Sequence, residues 1–254
     1  MKAPTQRFSD RVENYRRYRP GYPEAVIDVL MDRCHLDETS VIADIGSGTG
    51  IFTRQLLGRN LRVIAIEPNR EMRQAAESLL AGYDLFSSVE GRAEASNLPD
   101  SMVDLIVSAQ AFHWFQRNPA RKEFARILKP CGWVALLWNQ RKVQQQFQQD
   151  YDALIREQAP EYNSVNHMNI GDEVIAGFFD PQGYQNFEFA NVQVFDKKGF
   201  LGRMQSSSYT PAPGCPEYPQ LMAAAELLFA RYAENLQVRF EYNTRLYLGT
   251  LNSR

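Results

Sequence analysis

The sequence lacks a long apolar run, a strong charge bias and any cysteine pair. No stretch approaches the length needed to cross a bilayer, so we predict no membrane span. The three cysteines form no CxxC motif and there is no leading apolar signal segment, so we expect free thiols and a cytoplasmic protein. The formal net charge is −2, which does not favour phosphate backbones as partners.

Metal ligands and nucleic-acid features are also scarce. The three histidines have neither HxxxH spacing nor cysteine pairs nearby, so we predict no metal at His35, His113 and His167. Basic residues cluster near the N-terminus, interleaved with Glu13 and aromatic side chains. This pattern is more typical of a helix face than of a nucleic-acid footprint, so we expect no nucleic-acid partner. Oligomeric state has no signal in the sequence.

The chain does contain an apolar run that ends in an acid and a glycine-rich turn. Residues 41–45 have the length and β-branched content of a buried strand, and Gly46 and Gly48 allow a sharp turn close to a ligand. Ile51 stands where a dinucleotide-binding GxGxxG turn has its third glycine. The pattern predicts a nucleotide pocket and argues against a pyrophosphate. A tight connection without ligand, with Asp44 as a helix cap, is the alternative.

A second acid follows the next strand. Residues 61–66 predict a strand that ends at Glu67, before Pro68 and a helical run. A carboxylate at this position can accept two hydrogen bonds from a ribose diol and would repel a 2′-phosphate. Further strands are predicted over 85–89 and 103–108. Residues 90–94 follow the first of these strands. A backbone N–H and an acid in this segment are suited to hydrogen-bond the edge of an adenine.

Four segments carry a family resemblance. IADIGSGTG, IEP, GRAE followed by NLPD, and SAQAFHWF resemble the successive motifs of class I S-adenosylmethionine-dependent methyltransferases, over roughly residues 8–140. The chain is most similar to the small-molecule branch that includes type-11 methyltransferases and trans-aconitate methyltransferase. The resemblance implies an α/β fold of Rossmann-like type, with a doubly wound, seven-stranded, mostly parallel sheet and a helical cap.

The resemblance also implies S-adenosylmethionine as cofactor and assigns residues to it. Asp44 would lie at the methionine part, Glu67 at the ribose and Gln110 near the sulfonium. Many relatives have an acid at the position of Arg92, so Glu94 becomes the expected partner of the adenine amine, although a solvated loop acid is the alternative. The cofactor-binding residues implied are Asp44, Gly46, Ser47, Gly48, Glu67, Pro68, Met72, Ala93, Glu94 and Gln110.

The acceptor is expected to be a small organic molecule, with a carboxylate slightly favoured over a phenol. A carboxylate is already ionised at neutral pH, whereas a phenol or amine would need a base, for which His113 is the candidate. The alternative for His113 and Trp114 is that they simply pack under the sheet. The alternative for Arg19 is an exposed position on a helix face. The predicted substrate-binding residues are Tyr15, Tyr18, Arg19, Trp114, Trp138 and Tyr209.

The chain divides into four predicted regions. They are an N-terminal lid over residues 1–22, a cofactor-binding core over 23–139, a cap insertion over 140–183 and C-terminal strands over 184–254, with a further cap segment at 199–215. A lid that excludes water suits methyl transfer.

Local patterns add detail to this division. Pro23 begins a predicted helix whose inner face carries Ala25, Val26, Val29 and Leu30. Apolar alternation over residues 187–194 slips once near Ala190, which predicts a β-bulge. A helix over 218–234 and a strand with apolar even positions from 238 to 248 follow.

Two other functions compete with methyl transfer. A non-catalytic S-adenosylmethionine-binding module would keep the same cofactor residues. An NAD-dependent oxidoreductase is disfavoured by the glycine spacing and by the lack of a downstream tyrosine–lysine constellation.

Overall fold

The computed structural model describes residues 12–159, 171–207 and 209–251, so parts of the predicted lid and cap, and His167, lie outside the described residues. Within these ranges the helices are α1 (Val12–Tyr18), α2 (Glu24–Cys34), α3 (Ile51–Leu57), α4 (Arg70–Leu80), α5 (Arg117–Ile127), α6 (Gln146–Gln158), α7 (Asp172–Phe179), α8 (Lys197–Gln205) and α9 (Glu217–Tyr232). The strands are β1 (Val41–Ile45), β2 (Arg62–Ile66), β3 (Phe86–Val89), β4 (Val103–Ala109), β5 (Leu128–Arg141), β6 (Tyr184–Phe195) and β7 (Val238–Gly249). No helix of the described residues is long and apolar enough to span a bilayer.

The strands form one sheet in the order β3-β2-β1-β4-β5-β7-β6. Strands β1 to β5 pair in parallel, and β7 is antiparallel to both of its neighbours. This confirms the predicted doubly wound, seven-stranded, mostly parallel sheet. The strand order reverses between β1 and β4, and open α/β sheets bind ligands at such a switch point, beyond the carboxyl ends of the strands.

Apolar cores cover both faces of the sheet, because successive side chains of a strand point to opposite faces. Ala43 and Ile45 of β1 belong to one core together with Ile64 of β2. Ile42 and Val63 belong to the other core. Such nearly continuous apolar runs are typical of parallel strands that are buried on both sides.

A third core lies beside the sheet, where α6, α8 and α9 pack against β7. Tyr151, Phe200 and Phe240 are fully buried there, and the ring centroids of Tyr151 and Phe240 are 4.9 Å apart. Helix α7 packs instead in the main core through Phe178 and Phe179. The third core therefore supports α6, which follows the carboxyl end of β5, and α8.

Strand β6 contradicts the predicted bulge near Ala190. It pairs with β7 in unbroken antiparallel register along its whole length. The apolar alternation slips because the inward positions after Ala190 carry the amides Asn191 and Gln193. Val192 and Val194 point outward instead, with 46% and 45% of their surface exposed.

The inward amides of β6 hold the N-terminal segment, residues 12–22. The side chain of Gln193 donates to the carbonyl of Tyr18 at 3.2 Å, and that of Asn191 donates to the carbonyl of Gly21 at 2.8 Å. Polar residues stand at apolar positions of the strand because their partners are backbone carbonyls of this segment.

The remaining local predictions are mostly confirmed. Helix α2 begins directly after Pro23, and Val26 and Leu30 are buried as predicted, whereas Ala25 is exposed and Ile27 is buried in its place. Val26 and Ile27, with Leu30 one turn later, form the buried face of α2. The small side chain of Ala25 does not determine which face is buried. In β7 the even positions from 238 to 248 are all buried.

Candidate active site

A cavity opens at the carboxyl ends of β1, β2, β4 and β5, at the switch point of the sheet. Its acidic end contains Asp44 and Glu67, and its arginine end contains Arg19, Arg141 and Arg203, named here the arginine cluster. The predicted site residues on its walls are Tyr15, Arg19, Asp44, Gly46, Ser47, Gly48, Glu67, Pro68, Met72, Ala93, Glu94, Gln110, His113, Trp114, Trp138 and Tyr209.

The turn after β1 requires glycine. Gly46 and Gly48 have φ of +72° and +58°, in the left-handed region. A Cβ atom on Gly46 would lie 2.6 Å from the Cβ of Ala111. The backbone nitrogen of Gly46 donates to the carbonyl of Ile66 at 2.9 Å, which ties the turn to the end of β2.

Glu67 braces this turn from the end of β2. Its Oε2 accepts from the backbone nitrogen of Gly48 at 2.9 Å and its Oε1 from that of Asn69 at 2.8 Å. The side chain is buried, and burial raises the pKa of its carboxyl group against the effect of these two bonds. Each oxygen keeps a further lone pair, so Glu67 can hold the turn and still accept from two ligand hydroxyls.

Asp44 is a buried carboxylate with one unsatisfied oxygen. Its Oδ2 accepts from Thr53 Oγ1 at 2.6 Å, whereas its Oδ1 has no partner among the described residues. Burial, opposed by the Thr53 bond and assisted by the charge of Glu67, raises the pKa of Asp44 to about 7. Gly50 caps α3, so Asp44 is not a helix cap. A buried acceptor without a donor is costly, and a cationic donor would relieve it best.

The remaining walls of the acidic end come from α4 and the loop after β3. Met72 is buried in the first turn of α4, where its backbone nitrogen donates to the capping Asn69 at 2.9 Å. Ala93 is 3% exposed. One oxygen of the half-buried Glu94 accepts from the backbone nitrogen of Gln116 at 2.7 Å, directly before α5. Glu94 therefore has a structural partner in addition to its place on the cavity wall.

The chain turns sharply after β4. Gln110 has φ of +60°, which is uncommon for a residue other than glycine, and its Nε2 donates to the carbonyl of Asn139 at 3.1 Å. A 3₁₀ turn follows, in which the rings of His113 and Trp114 lie 4.8 Å apart on the cavity wall. Phe112 is the member of this turn that is fully buried under the sheet.

The arginine cluster comes from three distant segments. Arg19 follows α1, Arg141 ends β5 and Arg203 lies in α8. Arg141 is paired, since its Nη2 donates to Asp152 Oδ1 at 2.9 Å and both side chains are less than 10% exposed. Burial, and next the positive charge of Arg203, lower the pKa of Arg19.

Arg203 and Arg19 have no carboxylate within ion-pair distance in the described part of the chain. Arg203 is 4% exposed, and it donates to Ser207 Oγ at 3.2 Å and to the Tyr242 hydroxyl at 3.5 Å. Arg19 donates to the carbonyl of Ser206 at 3.0 Å, and its buried Nε has no partner among the described residues. Buried charges are usually paired, so this arrangement favours an anionic ligand.

Tyr18 is the predicted substrate residue that the structure places elsewhere. Its ring packs against Gly202 of α8 and edge-on to Phe195, with centroids 6.4 Å apart. Tyr15 and Arg19 are four residues apart and share the cavity side of the segment. Tyr18 lies on the neighbouring side, which contacts α8.

Sequence reasoning missed Arg141, Arg203 and Tyr242. Arg141 follows the long apolar strand β5 at its carboxyl end, where ligands bind, and that position was a usable signal. Arg203 carries only a weak signal, as a lone charge beside buried Phe200 and Met204. Tyr242 fits the apolar alternation of β7 and has no local sign of a polar role.

Comparisons with known proteins agree with this geometry. The family profile described as "Methyltransferase domain" (Methyltransf_11) matches residues 43–136. This match identifies residues 43–136 as a methyltransferase domain. An uncharacterized methyltransferase-like protein of Schizosaccharomyces pombe is 38% identical over 135 residues, which are 53% of this chain and 52% of that protein. The match thus spans about half the length of this curated relative.

Solved structures of methyltransferases share the fold of the domain. A candidate type II methyltransferase from Anaeromyxobacter dehalogenans superposes with a TM-score of 0.69 at 19% identity, over 93% of this chain and 100% of that chain. A candidate S-adenosylmethionine-dependent methyltransferase from Methanococcus maripaludis gives 0.52 at 20% identity, over 72% and 86%. These names specify no acceptor, so the likeness to trans-aconitate methyltransferase stays a prediction.

Proposed function

We propose that this protein transfers the methyl group of S-adenosylmethionine to a small organic acceptor that carries a carboxylate. The observation that supports the acceptor class is the arginine end of the cavity. Arg203 is buried there and Arg19 is half-buried with a buried Nε, and neither has a carboxylate partner in the described residues. A bound carboxylate would supply that partner through charge-assisted hydrogen bonds.

The acidic end fits the cofactor. The free Oδ1 of Asp44 suits the ammonium group of the methionine part, and the remaining lone pairs of Glu67 suit the ribose diol. Gly48, where a Cβ atom would meet only the Met72 sulfur at 3.9 Å, leaves room for close approach. When bound, S-adenosylmethionine supplies a methyl group activated by its sulfonium.

The protein's own contribution would be alignment and exclusion of water. The N-terminal segment forms one wall of the cavity through Tyr15, Arg19 and Tyr22. It is fastened from several directions, including two hydrogen bonds between Tyr22 backbone atoms and the Gln55 side chain at 2.9 and 2.7 Å. A carboxylate acceptor needs no base, and His113 stays the predicted base for a phenol or amine.

The arginine cluster also argues for a small molecule over a nucleic acid. Its charges line a cavity that Asp44 and Glu67 share, whereas a nucleic-acid footprint lies on an open surface. A cytoplasmic location remains part of the same proposal.

A methyl-transfer screen tests the proposal. Matched sets of small carboxylic acids, phenols and amines are incubated with the protein and S-adenosylmethionine, and S-adenosylhomocysteine formation is measured. We expect turnover of a carboxylate-bearing molecule. Methylation of transfer RNA or protein without turnover of a small molecule would refute the acceptor class. Cofactor binding without turnover of any acceptor would favour the non-catalytic binding module.

Arg203→Gln tests the carboxylate site directly. We expect kcat/KM for the acceptor to fall about 10- to 100-fold, because a buried charge-assisted hydrogen bond is lost. Cofactor affinity should stay within about twofold of wild type, since a factor of two is well under 1 kcal/mol. Arg239→Gln, at an exposed position of β7, is the matched control. Equal losses in both variants would contradict a specific role for Arg203.

A further inference from the structure

Tyr209 stands inside the arginine cluster. It is half-buried on the cavity wall, shortly after α8. The guanidiniums of Arg141, Arg203 and Arg19 all act on its phenol, and they come from the end of β5, from α8 and from the N-terminal segment. Because Tyr209 shares the cavity wall with these three positive groups, it is a candidate of the protein's own for a negative charge at this end of the cavity.

A hydrogen-bond relay connects this hydroxyl to Arg203. Arg203 Nη1 donates to Ser207 Oγ at 3.2 Å, and a guanidinium can only donate. Ser207 is fully buried and its side chain is also hydrogen-bonded to Tyr209. With Arg203 donating to its oxygen, the Ser207 hydroxyl keeps its own proton to donate to a Tyr209 phenolate. The relay therefore favours Tyr209 as an acceptor, which is the role that a phenolate fills best.

The neighbouring Tyr151 differs from Tyr209 in the direction of its pKa shift. Burial, and next the charge of Tyr209, raise the pKa of Tyr151, on α6, to about 12. Burial also acts to raise the pKa of Tyr209, but the arginine cluster outweighs it and lowers that pKa below its usual value. The oxygens of Asp152, also on α6, already accept from Arg141 and Arg156.

We propose that Tyr209 is the exchangeable counter-charge of the arginine cluster and couples acceptor binding to one proton. Above the pKa of Tyr209 in the empty cavity, its phenolate neutralises the cluster. When the acceptor's anionic group binds there, the phenolate oxygen takes a proton from solvent, and the acceptor supplies the negative charge in its place. The ligand class is an anion that stays charged near neutral pH. The inference rests on the proposed function for the identity of that anion.

This coupling predicts how the dissociation constant of the anion changes with pH. Below the pKa of Tyr209 in the empty cavity the phenol is already protonated, so the dissociation constant of the anion does not depend on pH. Between that pKa and the higher pKa of the occupied cavity, each molecule bound takes up one proton. Affinity should then weaken about tenfold per pH unit. In Tyr209→Phe this dependence should disappear from the same window.

The test reads Tyr209 without any turnover. Near-ultraviolet absorbance of tyrosinate is followed from about pH 6 to about pH 10 for wild type, Tyr209→Phe and the control Tyr83→Phe. Tyr83 is an exposed turn residue outside the cavity. Each titration is repeated with sulfate and with succinate, which are dianions across this range, and with sodium chloride at equal ionic strength. Ser207→Ala removes the relay and leaves the phenol in place.

We expect wild type and Tyr83→Phe to show a one-tyrosine step below the ordinary range, absent in Tyr209→Phe and shifted upward in Ser207→Ala. A dianion should move the step to higher pH, whereas chloride should not. Absence of the step, or a step unmoved by both dianions, would overturn the proposal. A failed acceptor screen beside a dianion-sensitive step would count against the proposed acceptor and leave the Tyr209 assignment in place.

Discussion

The two ends of the cavity differ in how the chain builds them. The acidic end comes from two neighbouring strand ends, and Asp44, Gly48 and Glu67 lie within 24 positions of sequence. The arginine end takes Arg19, Arg141 and Arg203 from three segments spread over most of the chain. One end is a local motif, whereas the other exists only after the sheet and the third core have assembled.

Their electrostatic states differ as well. Both carboxylates of the acidic end accept bonds from the protein, and one oxygen of Asp44 is left for a donor. At the arginine end, Arg203 and Arg19 have no carboxylate partner in the described residues. The comparison indicates that the cavity is prepared for a cation at one end and an anion at the other, and a cationic cofactor with an anionic acceptor meets both needs.

Asp44→Asn should produce the largest effect on the acidic end. We expect S-adenosylmethionine binding to weaken roughly 100-fold, or about 3 kcal/mol, because an ammonium would be left without its buried partner. Isothermal titration calorimetry measures the change. The substitution keeps an acceptor for Thr53, so turnover should be lost with the fold intact. Unchanged affinity would show that the ammonium binds elsewhere.

Glu67→Ala should have the next largest effect. We expect cofactor affinity to fall by roughly 2 to 3 kcal/mol, because two ligand bonds to a charged acceptor are lost together. Glu67→Gln should cost less, since one oxygen can still accept. Glu38→Ala, at an exposed loop acid, is the control. If the alanine variant binds as wild type does, Glu67 only braces the glycine turn and the ribose site lies elsewhere.

The contrast explains what the sequence could predict. Asp44 lies near the end of an apolar strand, and Gly46 and Glu67 each directly follow one. Strand ends of a parallel sheet converge at one edge, so a local pattern was enough to place them. Arg203 reaches the cavity because α8 packs in the third core, and no short-range pattern encodes that packing. Tyr18 was misplaced for a related reason, since which side of α1 faces the cavity depends on its contact with α8.

The same distinction between local patterns and distant contacts applies to the fold. The parallel strands were predictable because each is a buried apolar run of strand length. The bulge near Ala190 was wrong because the inward amides Asn191 and Gln193 bind backbone of the N-terminal segment, a contact between residues about 170 positions apart. Polar residues with distant partners break a periodic pattern in the same way that a bulge does.

The pH dependence of stability should reveal Asp44 without any ligand. Its folded pKa of about 7 lies above the unfolded value of about 3.9, so the native state holds the proton more tightly and stability falls as pH rises through this window. Asp44→Asn cannot ionise and should be more stable than wild type by about 4 kcal/mol at pH 8, with most of the gain lost near pH 4. Denaturant unfolding at both pH values measures it, and a gain independent of pH would contradict ionisation as its cause.

Gly202→Ala should disturb the arginine end alone, with the smallest effect of the four. A Cβ atom at this position would overlap the Tyr18 ring, so α1 must shift, and Arg19 follows Tyr18 directly in the chain. We expect kcat/KM for the acceptor to fall about tenfold, or about 1.4 kcal/mol, while cofactor affinity stays unchanged.

A second glycine-to-alanine change is the control for Gly202→Ala. It shows whether any loss of a glycine from a helix has the same effect as the displacement of α1. Gly177 is exposed in α7, and a Cβ atom there meets nothing within 4 Å, so Gly177→Ala should stabilise its helix by roughly 0.5 to 1 kcal/mol and leave turnover unchanged. Acceptor and cofactor titrations on both variants decide the matter. If Gly202→Ala weakens both ligands equally, the N-terminal segment serves the whole cavity and the two ends are not independent. If only the acceptor is affected, the position of Arg19 is set by the contact between Tyr18 and α8, and the arginine end depends on a packing contact that the acidic end does not share.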